Sequence, residues 1–135
     1  MNKENLPILG KILTDVSVVV SHGMSLYSGR EDKICFTCAD GTKYVMYHDQ
    51  ECGESVVIDD ISGDWYDLIG NPLLIAEAAS KSSTDDEKEC GDSQTWTFYR
   101  LATIGGYVDI RWLGESNGYY SESVTFIECK DELIN

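Results

Sequence analysis

Apolar residues recur at every second position over most of the chain, the period of a half-buried strand rather than of a helix. Residues 11–20 set the pattern. Ile12, Val16, Val18 and Val20 share a face with Thr14, and Leu13 and Val19 share the other with Lys11, Asp15 and Ser17. Residues 6–9 before them read as a short helical turn. Between Lys33 and His48, two β-rich runs flank Asp40-Gly41. That dipeptide is a favoured two-residue hairpin turn, because both positions need φ > 0, and it would pair Ala39 with Thr42. Residues 55–61, rich in Val and Ile, form a further strand. Asp64 is placed as the N-cap of one helical turn over residues 65–69, with Gly70 as its stop. Residues 73–79 read as a strand, although their Leu, Ala and Glu content also suits a helix. Residues 80–93 are polar and without period, which predicts an exposed mobile loop.

The last third alternates most clearly. Residues 95–104, 107–113 and 119–129 form three strands joined at Gly105-Gly106 and Asn117-Gly118, an antiparallel meander. Val108, Ile110 and Trp112 fall on one face, and Asp109, Arg111 and Leu113 on the other. In that meander Arg111 and Glu122 become diagonal neighbours, suited to a cross-strand ion pair. The expected fold class is α+β, mainly antiparallel β-sheet, with about six or seven strands, hairpins, a C-terminal meander and one or two short helices.

Length sharpens this little: 135 residues is the size of one domain, taken here as 1–135. No apolar run approaches the roughly 18 residues of a membrane span, and the first residues lack the basic and apolar blocks of a signal peptide. A cytoplasmic protein without membrane contact is expected. The five cysteines, Cys35, Cys38, Cys52, Cys90 and Cys129, are then expected as free thiols.

Charge changes the picture more. The chain carries −14, and residues 49–92 hold thirteen acidic side chains against two basic ones, a local balance of −11. Such a field repels phosphate backbones and argues against direct nucleic-acid binding. It serves solubility, or steers the chain toward a basic partner. The candidate binding surface is Asp49, Glu51, Glu54, Asp59, Asp60, Asp64 and Asp67, with Trp65 and Tyr66 as apolar anchors. Tyr119-Tyr120 is a second aromatic pair beside a turn.

Candidate chemistry is sparse. Cys35, Cys38, His48 and Cys52 have types that suit tetrahedral zinc, but Cys35 and Cys38 point to opposite faces of an unbroken strand, so no metal and no cofactor are expected. With Ala39 opposite Thr42, Cys35 faces Met46 and shares a face with His48, an arrangement open to a thiolate–imidazole dyad or to two unrelated side chains. No phosphate-binding loop, dinucleotide fingerprint, nucleophile elbow or zinc-protease helix is present, which favours a non-enzyme. Arg100 and Arg111, among Tyr107, Trp112 and other aromatics, form an alternative small-molecule site.

Two long motifs carry a resemblance. The first runs His48-Asp49-Gln50-Glu51-Cys52-Gly53-Glu54-Ser55-Val56, then Asp59-Asp60-Ile61, Gly63-Asp64 and Asp67-Leu68-Ile69-Gly70. The second begins at Thr95-Trp96-Thr97-Phe98-Tyr99, continues through Gly106-Tyr107-Val108 and Ile110-Arg111-Trp112, and closes on residues 114–122. Together, over residues 40–126, they resemble a family of small phage, prophage and bacterial proteins catalogued as a domain of unknown function. Gly53 stands where many members have a second cysteine, and the Cys35–Cys38 pair lies outside the pattern.

The resemblance implies a phage or mobile-element setting, hence a host-cell cytoplasm, and transfers no activity. Joined to the acidic segment, it leads to an expected function: counter-defence by binding. The inhibited target would be a host protein with a basic surface, a nucleic-acid-guided (anti-CRISPR-like) or signalling immune component. The alternative is a small-molecule or nucleotide-signal binder, a sponge or an unrecognised enzyme. A second copy of the chain is a further candidate partner.

Overall fold

A computed structural model describes residues 3–20, 32–50, 53–84, 93–117 and 121–129. Two antiparallel sheets account for nearly all of it. The first takes β1 (Lys3–Asn5), β6 (Ile75–Thr84), β7 (Ser93–Thr103), β8 (Gly106–Ser116) and β5 (Ser55–Gly63), in that spatial order. The second takes β2 (Leu13–Val19), β3 (Lys33–Cys38), β4 (Lys43–Tyr47) and β9 (Thr125–Cys129). Their inner faces share one apolar core: Val56, Ile58, Leu101, Val108, Ile110 and Trp112 from the first sheet, and Ile34, Phe36 and Met46 from the second. The Trp112 indole N–H donates to the Met46 sulfur across the layers, at 3.2 Å. The mainly antiparallel expectation holds, with nine strands among the described residues. Among the described residues the helical part shrinks to one 3-10 turn, Trp65–Leu68, whose N-cap Asp64 accepts from the Tyr66 N–H at 3.0 Å. Residues 6–9 form successive tight turns, with Leu9 N–H donating to the Leu6 carbonyl and Lys11 N–H to Ile8.

Local alternation sorted the strand faces correctly wherever no bulge intervenes. Val108, Ile110 and Trp112 are buried while Arg111 is exposed. At β2 the expected sorting fails, because Leu13 pairs Cys38 and Asp15 pairs Thr37. Thr14 is the extra residue of a bulge, so Leu13 joins Val16 and Val18 on the core side instead of facing away. A second bulge lies in β5, where Ile58 pairs Trp112 and Asp60 pairs Arg111. Ile58 therefore faces the core, and its N–H donates to the buried Asp32 carboxylate at 2.8 Å.

The β3–β4 hairpin differs from expectation by one residue. Thr37 pairs Lys43 and Cys35 pairs Val45, while Cys38 N–H donates to the Thr42 carbonyl. The connection is thus three residues, Ala39-Asp40-Gly41, with Gly41 at φ +90°, the turn-plus-bulge form that also satisfies an Asp-Gly signal. One residue of register reverses every facing relation across the strand pair. Asp40 holds this turn. Its carboxylate accepts from Lys11 at 2.6 Å and from both the N–H and the hydroxyl of Thr42. These bonds, the Lys11 ammonium first, hold the Asp40 carboxyl well below the usual carboxylate range. A lowered folded pKa gives stability that is present above the unfolded value, roughly pH 4, and lost as pH falls below it. Asp40→Asn should therefore flatten the acid limb of a stability–pH curve; an unchanged limb would show that the turn does not depend on this charge.

The expected meander does not form. β9 leaves β8 and pairs β4, Val45 opposite Ile127 and Met46 opposite Phe126. That places the Phe126 ring 5.5 Å from Tyr44, stacked, and 5.8 Å from Phe36. The free edge of β8 is taken by β5. Residues 80–84 and 93, expected in the loop, are paired strand in β6 and β7, and 85–92 lie outside the described residues. The β7–β8 hairpin forms with its turn one residue earlier than expected, at Ile104-Gly105, since Thr103 pairs Gly106; a Cβ on Gly105 would stand 2.8 Å from the Asp67 carbonyl. Among the described residues, no helix is long and apolar enough to cross a membrane.

Candidate functional site

Two surfaces gather the side chains with chemistry to offer, one on each face of the five-stranded sheet. Its outer face is built by the residues that alternate with the core set. Trp96 pairs Leu113, Phe98 pairs Arg111, and Arg100 pairs Asp109. Arg100 meets Asp109 in a two-pronged bond of 2.7 and 2.8 Å and lies over the Tyr107 ring at 5.2 Å. Arg111 meets Asp59 at 2.6 Å and lies over Trp96 at 5.4 Å. The bulge makes Asp59 an extra residue in β5, beside Asp60, which pairs Arg111. Lys3 and Glu77 add a third pair at 3.4 Å. A shallow groove of about 380 Å³ runs between these pairs over Phe98. Exposed ion pairs of this kind add little stability, but guanidinium stacking on aromatic rings holds the side chains in place.

This face draws two residues from one predicted set and three from the other. Asp59 and Asp60 come from the acidic surface, and Arg100, Arg111 and Tyr107 from the alternative small-molecule site. Trp112 does not join them. It is fully buried on the opposite face of β8, which removes it from any ligand. The acidic set is likewise divided. Asp49 and Asp60 are exposed, Asp64 is spent on its cap, and the backbone carbonyl of Asp67 accepts from the Thr103 hydroxyl. Trp65 is a core-packing residue rather than an anchor, half-buried with its ring edge-on to Phe36 at 6.2 Å. Its neighbour Tyr66 is 84 % exposed. Glu51, Cys52 and Tyr119-Tyr120 lie outside the described residues.

Glu54 is the largest departure. Expected on a surface, it is buried, and its carboxylate lies 2.7 Å from His48 Nε2 with both side chains almost wholly out of solvent. His48 Nδ1 stands 2.7 Å from the Ser123 carbonyl, which can only accept, so Nδ1 carries a proton. The Nε2–Glu54 bond needs a proton as well, which leaves the pair neutral overall. The same geometry dissolves both cysteine hypotheses. Cys35 lies on the outer face of its sheet, while Cys38 and His48 face inward, so neither the zinc quartet nor a Cys35–His48 dyad converges. Cys35, Cys38 and Cys129 are free thiols. A sequence signal for the buried pair existed: His48 continues the inward series Tyr44 and Met46, and Glu54 the series Val56 and Ile58.

The second surface lies over the far half of the inner face, beyond the apolar core. Here a cleft of about 450 Å³ is lined by Ser80, Ser82, Thr95 and Thr97, with Glu122 at its side and Glu4 on its rim. Glu122 does not pair Arg111, because residues 121–124 cover the sheet instead of extending it. It is only 7 % exposed, and its carboxylate accepts from the Thr95 hydroxyl at 2.7 Å and from the Ser116 hydroxyl. Gly114 admits it closely; a Cβ there would stand 2.8 Å from the Glu122 carbonyl. Tyr99 closes the apolar end, its phenol pushed above the usual range by burial first and by the Glu4 charge second.

Fold and surfaces define the class: a two-sheet, mainly antiparallel β protein with an aromatic, ion-paired outer face and a polar inner cleft. The chain belongs to the family described as domain of unknown function (DUF7448), whose model matches residues 6–126. No curated protein and no solved structure matches it.

Proposed function

We propose that this protein acts by binding another protein, without catalysis, through the outer face of the five-stranded sheet and the acidic β5 edge beside it. One observation carries the reading. The outer face of a sheet layered on another is ordinarily polar, yet this one presents Trp96, Phe98, Leu113 and Tyr107, the last 52 % exposed, interleaved with arginines. Aromatic and arginine side chains are the residues enriched in protein interfaces. The partner is a protein with a basic surface, drawn by the −14 charge and by the exposed Asp49 and Asp60. The role favoured is that of an acidic inhibitor covering a basic groove of a host nucleic-acid-guided or signalling immune component. This is the setting that the phage-like motifs imply.

The anchors in this reading are Tyr107 and Tyr66, in place of Trp65. Once a partner is captured from host lysate, Tyr107→Ala should weaken its binding by about 2 kcal/mol or more, mainly through faster dissociation. Asp60→Asn should instead slow association and flatten its salt dependence. Val45→Ser, on the outer face of the other sheet, serves as control. Equal binding by the wild type and by Tyr107→Ala combined with Trp96→Ser, both still folded, would remove this face from consideration.

A further inference from the structure

The inner face of the five-stranded sheet changes chemistry halfway along its length. Cross-strand rows run Ala78–Tyr99, then Ser80–Thr97, then Ser82–Thr95, so an apolar surface gives way to hydroxyls. The bonds those hydroxyls already make decide what they offer. The Thr95 proton is committed to Glu122, and the Thr95 oxygen lies 3.1 Å from Ser82 Oγ. Ser82 must therefore donate to Thr95, which leaves Ser82 with only lone pairs for the cleft. Ser121 Oγ already accepts from the Ser123 N–H and shares a 2.8 Å bond with the Ser123 hydroxyl. Glu122 and Glu4 add carboxylate oxygens. The cleft is thus rich in acceptors.

It is also without positive charge. No Lys, Arg or His side chain is among the described residues that line it, and the partners of Glu122 are neutral hydroxyls. A buried carboxylate is ordinarily compensated by a cation. Elsewhere in this protein that rule is kept: Glu54 has the imidazole of His48. His48 also fixes the covering segment through the Ser123 carbonyl.

We propose that this cleft binds an organic cation, an alkylammonium or guanidinium group, with Glu122 as its counter-ion and Glu4 as a second carboxylate at the rim. The ligand is either a free amine or a Lys or Arg side chain of a protein. The two sources share the chemistry of several N–H donors on a positive centre. Phosphates and other anions are repelled by the same two carboxylates. The proposal is independent of the outer-face reading, since the cleft lies on the opposite side of the sheet.

Calorimetric titration of the full chain tests it, at constant ionic strength because an acidic protein attracts any polycation. The probes are agmatine, 1,4-diaminobutane and Nα-acetyl-lysine methylamide, with glucose as a neutral polyol. At least one cation should bind at one site per chain with a Kd below about 1 mM. Glu4→Gln, at an exposed position, should weaken that binding severalfold. Ser82→Val should weaken it further by narrowing the cleft, and Asp60→Asn should leave it unchanged. Glu122→Gln should abolish it; should that variant fail to fold, Glu4→Gln and Ser82→Val decide alone. Tighter binding of the diamines supports a free amine, and tighter binding of the capped lysine supports a protein side chain. Glucose binding as well as the cations, no binding at all, or binding that Asp60→Asn weakens as much as Glu4→Gln would each overturn the proposal.

Discussion

Trp112→Ala should lower stability by about 3–5 kcal/mol, the range for removing a fully buried large aromatic. Trp112 is 0 % exposed in the middle of β8, between Ile58 of β5 and Thr97 of β7, and its N–H reaches Met46 of the other sheet. Truncation empties the space where the two layers meet and unpairs the contact that crosses them. For a chain of this length the loss corresponds to a fall in melting temperature of about 10–20 °C. Trp112→Phe keeps a ring in place and should recover much of it. Thermal unfolding of the two variants beside the wild type makes the comparison. A fall of less than about 3 °C for Trp112→Ala would mean that the sheets are held together elsewhere.

His48→Ala and Glu54→Ala should each cost about 3–5 kcal/mol, because either change removes a buried ionisable partner that the remaining bonds, from the Gly53 N–H to Glu54 and from His48 to the Ser123 carbonyl, do not replace. The double variant should cost clearly less than the sum, since no stranded charge remains. A coupling of about 1 kcal/mol or more is expected in denaturant titrations. His48→Ala also frees the Ser123 carbonyl, so proteolysis within residues 121–124 should accelerate in that variant more than in Glu54→Gln, which leaves the His48–Ser123 bond in place. Additive costs would show that the two side chains stabilise the protein separately. The pair joins the start of β5 to the end of β4, and through Ser123 it positions the segment that bears Glu122.

Much of the local architecture follows from the order of residues alone. Strict alternation in β8 placed Val108, Ile110 and Trp112 inward, because a strand without bulges has no other way to bury them. The Asp64 cap and its helical turn were also readable, since an aspartate before a short amphipathic run satisfies the first free N–H groups wherever the segment lies. What depended on distant residues was not readable. An Asp-Gly pair admits a two- or a three-residue turn, and the choice went with Asp40 meeting Lys11, 29 positions away, and with it the side on which Cys35 faces. The bulges in β2 and β5 are set by their partner strands, and they decide that Leu13 is core and that Asp59 is free to reach Arg111.

The last strand had a local signal for a hairpin with β8, but β5 already held that edge. Phe126 found its apolar surroundings beside Tyr44 and Phe36 instead. Ser80 and Ser82 read as part of a loop from composition, although in β6 they pair Thr97 and Thr95, because serine in alternation looks the same whether it faces solvent or a cleft. Pattern alone determined which residues can share a face. Only the tertiary structure decided which faces meet, because the pairing of strands far apart in sequence is a competition for edges and apolar cover, and no single segment contains all the competitors.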